Sequence, residues 1–301
     1  MSVAGALFLG AQGRLRSGWR AAIFVVVAVI TIGLGGAAAE LLLTGLAPLP
    51  GAYTLAVRWI GLTVGLFAAH VAVLAFFERF DWGYVGLARA QAAPAIIGRG
   101  LLLGGIPIAL VSLALIALGW LSIVRVPGSA LGNAGGLAIM FLAAALFEEL
   151  LMRGYLLSVL REGIGTVAAV LLTSIVFGLL HLQNPGVEAL SVTVVVVAGI
   201  FLAAVRLATG SLYAAWAAHA AWNMVMALLL HTAVSGTSIA APGGWSVTDT
   251  GPDWATGGPW GPEGGAPAAG VLLVATWYLF RRRGSAPANV TIAQERGEPN
   301  G

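Results

Sequence analysis

Residues 20–46 read RAAIFVVVAVITIGLGGAAAELLLTGL, and this stretch decides the class of fold. Only Arg20 and Glu40 are charged within it, and a helix needs about 20 mostly apolar residues to cross the hydrocarbon core of a bilayer. The rest of the chain has the same character, since 59% of its 301 residues are hydrophobic and 9% are charged. A soluble domain carries about 25% charged residues. We therefore predict an integral membrane protein.

The same criterion predicts an all-α fold, a polytopic bundle of about eight transmembrane helices. The candidate spans are residues 20–46, 54–77, 98–122, 136–160, 164–182, 188–208, 211–232 and 268–280. Together they form a membrane domain over residues 20–283, with an extracytoplasmic loop at about 233–267. We expect residues 1–19 to be a cytoplasmic segment and the polar tail 284–301 to be disordered.

The arginines predict the orientation of these spans, because positive side chains accumulate in cytoplasmic loops. Nearly all of them fall on one side of the eight-span arrangement, and Arg125 is the exception. Those on the common side are Arg14, Arg16, Arg20, Arg79, Arg89, Arg99, Arg161, Arg206, Arg281, Arg282 and Arg283. We therefore expect both termini in the cytoplasm. Basic residues are all Arg, which suggests a bacterial cytoplasmic (inner or plasma) membrane.

Composition also excludes several kinds of chemistry. The chain has no Cys, which excludes disulfides, thiolate metal ligands and a cysteine nucleophile. The formal net charge is +3, and no basic run is long enough to follow a nucleic-acid backbone. We therefore expect membrane lipid around the chain and no nucleic-acid partner, and the sequence leaves the oligomeric state open.

Two adjacent carboxylates, Glu148 and Glu149, lie within the predicted fourth span. Ionisable groups inside a bilayer are costly and by default mark a functional site. Glu149 and Arg153 are four residues apart, so they share a helical face and can form an ion pair. Glu148 is rotated by about 100° from Glu149 and cannot share that partner equally. A purely structural role is the alternative for the Glu149–Arg153 pair, whereas Glu148 stays free to act on water or on a substrate.

Two further polar pairs lie in later spans. Phe177 and His181 end the fifth span, and His219 and Asn223 lie in the seventh. The members of each pair are four residues apart and share a helical face. A packed histidine and interhelical hydrogen bonds are the structural alternatives. Because polar groups in hydrocarbon need partners, we predict that these side chains share one pocket with Glu148.

A carboxylate, two imidazoles and an amide in one pocket suit hydrolysis. Glu148, aided by His181, could deprotonate a water that attacks a peptide carbonyl. His219 and Asn223 could donate hydrogen bonds to the developing oxyanion. Alternatively, Glu148, His181 and His219 could bind a divalent metal such as zinc, which would activate the water. The His-Glu-x-x-His zinc motif is absent from the sequence, so both mechanisms stay open.

These three segments resemble the CPBP family, the CAAX-processing and bacteriocin-processing membrane proteases that are also called the Abi family. The family pattern is Glu-Glu-x-x-x-Arg, then Phe-x-x-x-His, then His-x-x-x-Asn, on separate membrane helices. In this sequence the pattern consists of Glu148-Glu149 with Arg153, Phe177 with His181, and His219 with Asn223. Each motif alone has little specificity, but all three in this order are specific. The resemblance covers about residues 136–232.

The resemblance implies a CAAX protease-like intramembrane endopeptidase, described in this family both as a metalloprotease and as a metal-free, glutamate-based enzyme. Its substrates would be membrane-associated or lipidated peptides or proteins. It assigns Glu148 as the base, His181 as the partner of the water, and His219 with Asn223 as oxyanion donors. Supporting positions would be Glu149, Arg153 and Phe177. Bacterial members are also linked to self-immunity and scaffolding.

Two other functions compete with hydrolysis. A non-catalytic membrane partner or scaffold of the immunity type would use the polar cluster only to join helices. A transporter would use the carboxylates as a proton relay, but it predicts paired broken helices, which the sequence does not contain. The sequence also does not decide on which side of the membrane the cavity has its mouth. His181 near the outer end of its predicted span favours an outward mouth, whereas family members that act on cytosolic tails favour the opposite side.

The predicted loop 233–267 contains several tryptophans. Because tryptophan is enriched at the membrane–water interface, we expect Trp245, Trp254 and Trp260 to be interfacial anchors.

Overall fold

The computed structural model describes residues 8–10, 13–127, 131–237 and 244–284. The predicted disordered tail lies outside these residues except for Gly284, as does much of the predicted N-terminal segment 1–19.

Ten α-helices and two strands follow one another along the described part of the chain. The helices are α1 (Ser17–Gly45), α2 (Gly51–Phe77), α3 (Pro94–Ala117), α4 (Leu131–Arg153), α5 (Tyr155–Ile164), α6 (Thr166–Leu180), α7 (Ala189–Thr209), α8 (Leu212–Met224), α9 (Asp253–Thr256) and α10 (Ala266–Gly284). The strands are β1 (Leu121–Val126) and β2 (Gly244–Asp249). Short 3-10 turns lie at Arg89–Ala92, Gly258–Trp260 and Pro262–Gly264, and a π-helical turn, Val225–Leu230, extends α8.

The predicted class, an all-α transmembrane bundle, is confirmed. In the described part of the chain, six helical segments are long and apolar enough to cross a membrane. They are Ser17–Gly45, Gly51–Phe77, Pro94–Ala117, Ala134–Ile164, Ala189–Thr209 and Leu212–Leu230. Two shorter apolar helices, Thr166–Leu180 and Ala266–Arg281, lie where the fifth and eighth spans were expected. The number eight therefore stays a prediction.

The predicted fourth span, 136–160, is not one continuous helix. Gly154 separates α4 from α5 with a ψ of −120°, which is far from the helical value. A Cβ at Gly154 would collide with the His70 ring and with the Leu150 carbonyl. The backbone N–H of Tyr155 donates to Nε2 of His70 over 3.2 Å instead of continuing a regular helix. The break makes α5 a separate helix, with Tyr155, Leu157, Ser158 and Val159 buried.

The predicted third span, 98–122, also ends early, because the chain leaves α3 and enters β1. β1 pairs with β2 in an antiparallel ladder from Leu121 opposite Asp249 to Val126 opposite Gly244. The predicted loop 233–267 thus contains a strand and short helices.

Close backbone contacts through glycine join the helices. On α3, Gly100 and Gly104 lie against the backbone of Ala214 and Ala218 of α8, where a Cβ would overlap the neighbouring carbonyl. Small residues permit such close approach between membrane helices. This contact fixes α8, which carries two of the predicted site residues, against the rest of the bundle.

A cluster of charged and phenolic groups closes the end of the bundle at which α1 begins. Arg20 pairs with Glu78 and with Glu162, and its Nη2 donates to the Tyr84 hydroxyl over 3.1 Å. Burial raises the pKa of the Tyr84 phenol, so that this group stays neutral. The cluster ties α1 to the segment after α2 and to α5.

Candidate active site

The two carboxylates of α4 lie in different surroundings. Glu149 is fully buried, and its Oε1 lies 3.1 Å from Nη1 of Arg153, which is 1% exposed. The pair expected from the i, i+4 spacing is therefore present. The Glu148 side chain is 25% exposed and lines a cavity. The adjacent carboxylates thus differ as the sequence predicts, one paired and buried and the other open.

Arg153, which lies on α4, also contacts α6 and α7. Its Nη2 donates to the backbone carbonyl of Gly199 on α7 over 3.1 Å. Its guanidinium lies over the ring of Phe177 on α6, 4.4 Å from the ring centroid. Phe177 in turn contacts His181 edge to face, with ring centroids 4.8 Å apart. The orientation of His181 therefore depends on packing that begins at Arg153.

His219 joins the carboxylates in a way that sequence spacing did not predict. Its Nδ1 lies 3.0 Å from Oε1 of Glu149, and its Nε2 lies 3.7 Å from Oε2 of Glu148. A carboxylate accepts hydrogen bonds, so we assign the Nδ1 proton to the contact with Glu149. The imidazole is thus held between the two carboxylates of α4, with its second nitrogen facing Glu148.

His181 and Asn223 complete the polar set. Nδ1 of His181 lies 2.8 Å from the carbonyl oxygen of Phe177, which can only accept, so Nδ1 carries the proton and Nε2 keeps a lone pair. Asn223 is 8% exposed and lies one turn after His219 on α8.

These side chains converge on one cavity of about 540 Å³. Glu148, His181, His219 and Asn223 all line it. The apolar part of its wall comes mainly from α2, α4 and α6 and includes Trp59, Met140, Phe141, Phe147, Leu151 and Leu180. A second, narrow cavity of about 40 Å³ adjoins the two imidazoles and Asn223, and this volume is enough for a water molecule. The structure therefore brings together the residues that the sequence grouped.

Glu263 is a site-lining residue that sequence analysis missed. Its Oε2 accepts from Nε1 of Trp222 over 2.7 Å, and its Oε1 accepts from the Ser235 N–H over 2.5 Å and from the Ser235 hydroxyl over 2.8 Å. Glu263 lines the narrow cavity together with both imidazoles and Asn223. The sequence offered little signal, because Glu263 lies in a Gly- and Pro-rich segment without helical periodicity.

The tryptophans of the predicted loop 233–267 differ in their exposure to solvent. Trp245 and Trp254 are 36% and 58% exposed, whereas Trp260 is 1% exposed. Trp260 belongs to a buried cluster with Phe177 and Val195, so the prediction of an interfacial anchor is wrong for this residue. The segment that carries Trp260 and Glu263 is therefore folded into the bundle beside the site.

The donor set does not fit a metal site with three ligands. Across the described ranges, no group of three or more His, Asp or Glu side chains is arranged so that it could hold a metal ion. We therefore derive no step through a metal.

Comparison with known families agrees with the three motifs. Residues 130–225 match the family model described as type II CAAX prenyl endopeptidase Rce1-like. The match covers about one third of the chain and includes Glu148, His181, His219 and Asn223. The resemblance to the CPBP and CAAX protease family is thereby confirmed over these residues. The comparisons with curated proteins and with solved structures found no match.

Proposed function

We propose that this membrane protein, with its Rce1-like CAAX protease domain at residues 130–225, is an intramembrane endopeptidase. It hydrolyses peptide bonds of membrane-associated or lipidated substrates. The observation that supports this proposal is the convergence of four polar side chains from three regions of the chain on one cavity, inside an apolar bundle. The membrane is a bacterial cytoplasmic membrane, and both termini lie in the cytoplasm.

Glu148 is the general base in this mechanism. Its carboxylate reaches the cavity, and its Oε2 lies 3.7 Å from Nε2 of His219, which is beyond hydrogen-bond distance, so it keeps oxygen lone pairs for a water molecule. Nε2 of His181 accepts a second hydrogen bond from the same water, because Nδ1 is held by the Phe177 carbonyl. Glu148 takes one proton while the water oxygen bonds to the peptide carbonyl carbon. The same proton then passes to the leaving amine as the C–N bond breaks.

Asn223 and His219 stabilise the oxyanion that forms in this step. The Asn223 amide is a hydrogen-bond donor on the cavity wall. His219 donates from Nε2 when its ring is protonated, with Nε2 directed toward Glu148 and Nδ1 bonded to Glu149. Such donors act strongly where water is excluded.

Glu149 and Arg153 position the reacting groups. Glu149 orients the His219 ring through Nδ1, and Arg153 balances the charge of Glu149 while it packs on Phe177. Because both are buried, they hold the site in one geometry and do not contact the substrate.

The substitution Glu148→Gln tests the proposal. It preserves the shape of the side chain but removes the base, so we expect cleavage to fall by a factor of about 10² to 10⁴ with the fold retained. The measurement is cleavage of lipidated and membrane-embedded fluorogenic peptides by purified protein in liposomes. Glu40→Gln is the matched control, because Glu40 pairs with Arg58 on the exposed surface and neither residue lines the cavity. A Glu148→Gln protein that cleaves as fast as the parent would show that the base is assigned wrongly.

A further inference from the structure

We propose that substrates enter the cavity from the side of the membrane opposite the arginine-rich loops, so that the scissile bond is presented at the extracytoplasmic surface. This assignment of a substrate class rests on the proposed peptidase function. The direction of access rests on separate observations, namely the rim of the cavity, its closed end and the distribution of charge.

The rim consists of the chain segments that follow α6 and α8. Asn184, Ser235 and Thr237 line the cavity there, and Nδ2 of Asn184 donates to the Ser235 carbonyl over 2.9 Å. Thr237 is exposed. Leu55, in the second turn of α2, lines the same cavity and is 38% exposed. The mouth therefore lies at the end of the bundle where α6 and α8 finish and α2 begins.

The opposite end of the site is closed by buried side chains. Glu149 and Arg153 are 0% and 1% exposed, and His70 and Tyr155 next to them are both 0% exposed. The Tyr155 hydroxyl contacts Glu78 over 3.2 Å, within the charged cluster around Arg20. This packed layer separates Glu148 from the end of the bundle where α1 begins.

Charge distinguishes the two ends of the bundle. The closed end carries Arg20, and Arg206 is also buried there beside Gly86 and the Tyr84 carbonyl. The end with the mouth carries the β1–β2 ladder and the loop acids Asp249 and Asp253, and its arginines are limited in the described ranges to Arg58 and Arg125. Since arginine-rich loops stay in the cytoplasm, the mouth faces the extracytoplasmic side.

The lining of the cavity indicates what kind of peptide fits. Its wall is apolar and aromatic, with Trp59, Phe141 and Phe147, and its rim carries neutral amide and hydroxyl groups. Leu180 on the same wall is 57% exposed. This combination suits an uncharged, apolar segment of a membrane-anchored polypeptide that has crossed the bilayer, and it does not suit a charged cytosolic tail.

The absence of cysteine from the chain permits a direct test by single-cysteine labelling. Ala144 lines the cavity one turn before Glu148, so Ala144→Cys reports which side supplies water to the site. Thr248→Cys on β2 marks the mouth end, and Ala90→Cys marks the opposite end; both positions are exposed. The probe is a small, membrane-impermeant, cationic methanethiosulfonate, applied to sealed right-side-out and inside-out vesicles.

We expect Ala144→Cys and Thr248→Cys to react in right-side-out vesicles, and Ala90→Cys to react in inside-out vesicles. Labelling of Ala144→Cys from the Ala90 side, or from neither side, would overturn the proposal, as would labelling of Thr248→Cys from the cytoplasmic side. All three variants are also labelled after solubilisation, to establish that each thiol is present.

Labelling requires no enzymatic activity, so the direction of access and the peptidase function can be refuted independently of each other. If Ala144→Cys reacts from outside but Glu148→Gln leaves cleavage unchanged, the direction of access stands and the catalytic assignment falls. If Glu148→Gln abolishes cleavage but Ala144→Cys reacts only from inside, the peptidase stands and the extracytoplasmic substrate class falls.

Discussion

Replacing Arg153 by methionine should destabilise the protein strongly, because it leaves a buried carboxylate without its cation. Arg153 and Glu149 are 1% and 0% exposed and lie 3.1 Å apart, so solvent does not screen the interaction. Removing one partner of a buried ion pair costs about 3–5 kcal/mol. The substitution also removes the contact with the Phe177 ring and the hydrogen bond to the Gly199 carbonyl. We therefore expect Arg153→Met to lower the free energy of unfolding by at least about 3 kcal/mol.

The double variant Glu149→Gln/Arg153→Met separates the charge effect from the packing effect. It removes both charges and keeps an amide oxygen that can accept from Nδ1 of His219. We expect it to recover about half or more of the stability lost in Arg153→Met, since breaking a pair costs more than replacing it. What remains lost reports the contact with Phe177, about 2 kcal/mol for a desolvated cation and ring, together with the hydrogen bond to the Gly199 carbonyl.

The assay is reversible unfolding in mixed detergent micelles, followed by tryptophan fluorescence, with the same protocol for each variant. Arg58→Met is the matched control, because Arg58 pairs with Glu40 on the exposed surface and should change the free energy of unfolding far less. The reasoning is refuted if Arg153→Met lies within about 1 kcal/mol of the parent, or if the double variant is no more stable than the single one.

Three further outcomes are expected. Gly104→Ala should cost about 1–3 kcal/mol of stability in the same assay, because its Cβ meets the Ala218 carbonyl, whereas Gly105→Ala has room and should be neutral. Glu263→Ala should cost about 1–3 kcal/mol and slow cleavage, because it leaves the Trp222 N–H without an acceptor; unchanged values in both assays would contradict this. Cleavage should survive exhaustive chelation, as checked by elemental analysis, and loss of cleavage that zinc restores would reject the metal-free mechanism.

Much of the bundle could be predicted from the sequence because membrane helices are determined by local composition. A run such as 20–46 has to hydrogen-bond its own backbone in hydrocarbon, so α1 is specified without knowledge of its neighbours. Breaks depend on tertiary contacts and were missed. α4 ends before Gly154, where the Tyr155 N–H donates to Nε2 of His70, a residue far away in the sequence. The β1–β2 ladder was missed because its strands are separated by about two fifths of the chain.

In the candidate site, too, contacts within one helix could be predicted and contacts between distant segments could not. The Glu149–Arg153 contact was predicted because helical geometry places residues four apart on one face. The contact of His219 with Glu149 depends on how α8 packs against α4, and spacing along the chain carries no information about that. The place of Glu263 beside the site could not be predicted for the same reason, since its partners Trp222 and Ser235 lie 41 and 28 residues earlier.

The position of Trp260 and Glu263 in the chain bears on biosynthesis. The helices that hold Glu148, His181 and His219 leave the ribosome first, and the segment that packs beside Phe177 and ties Trp222 follows shortly before α10. A translation product that stops before residue 253 would hold the acid and both imidazoles without this part of their enclosure. The enclosure of the candidate site is therefore complete only after residue 263 has been synthesised.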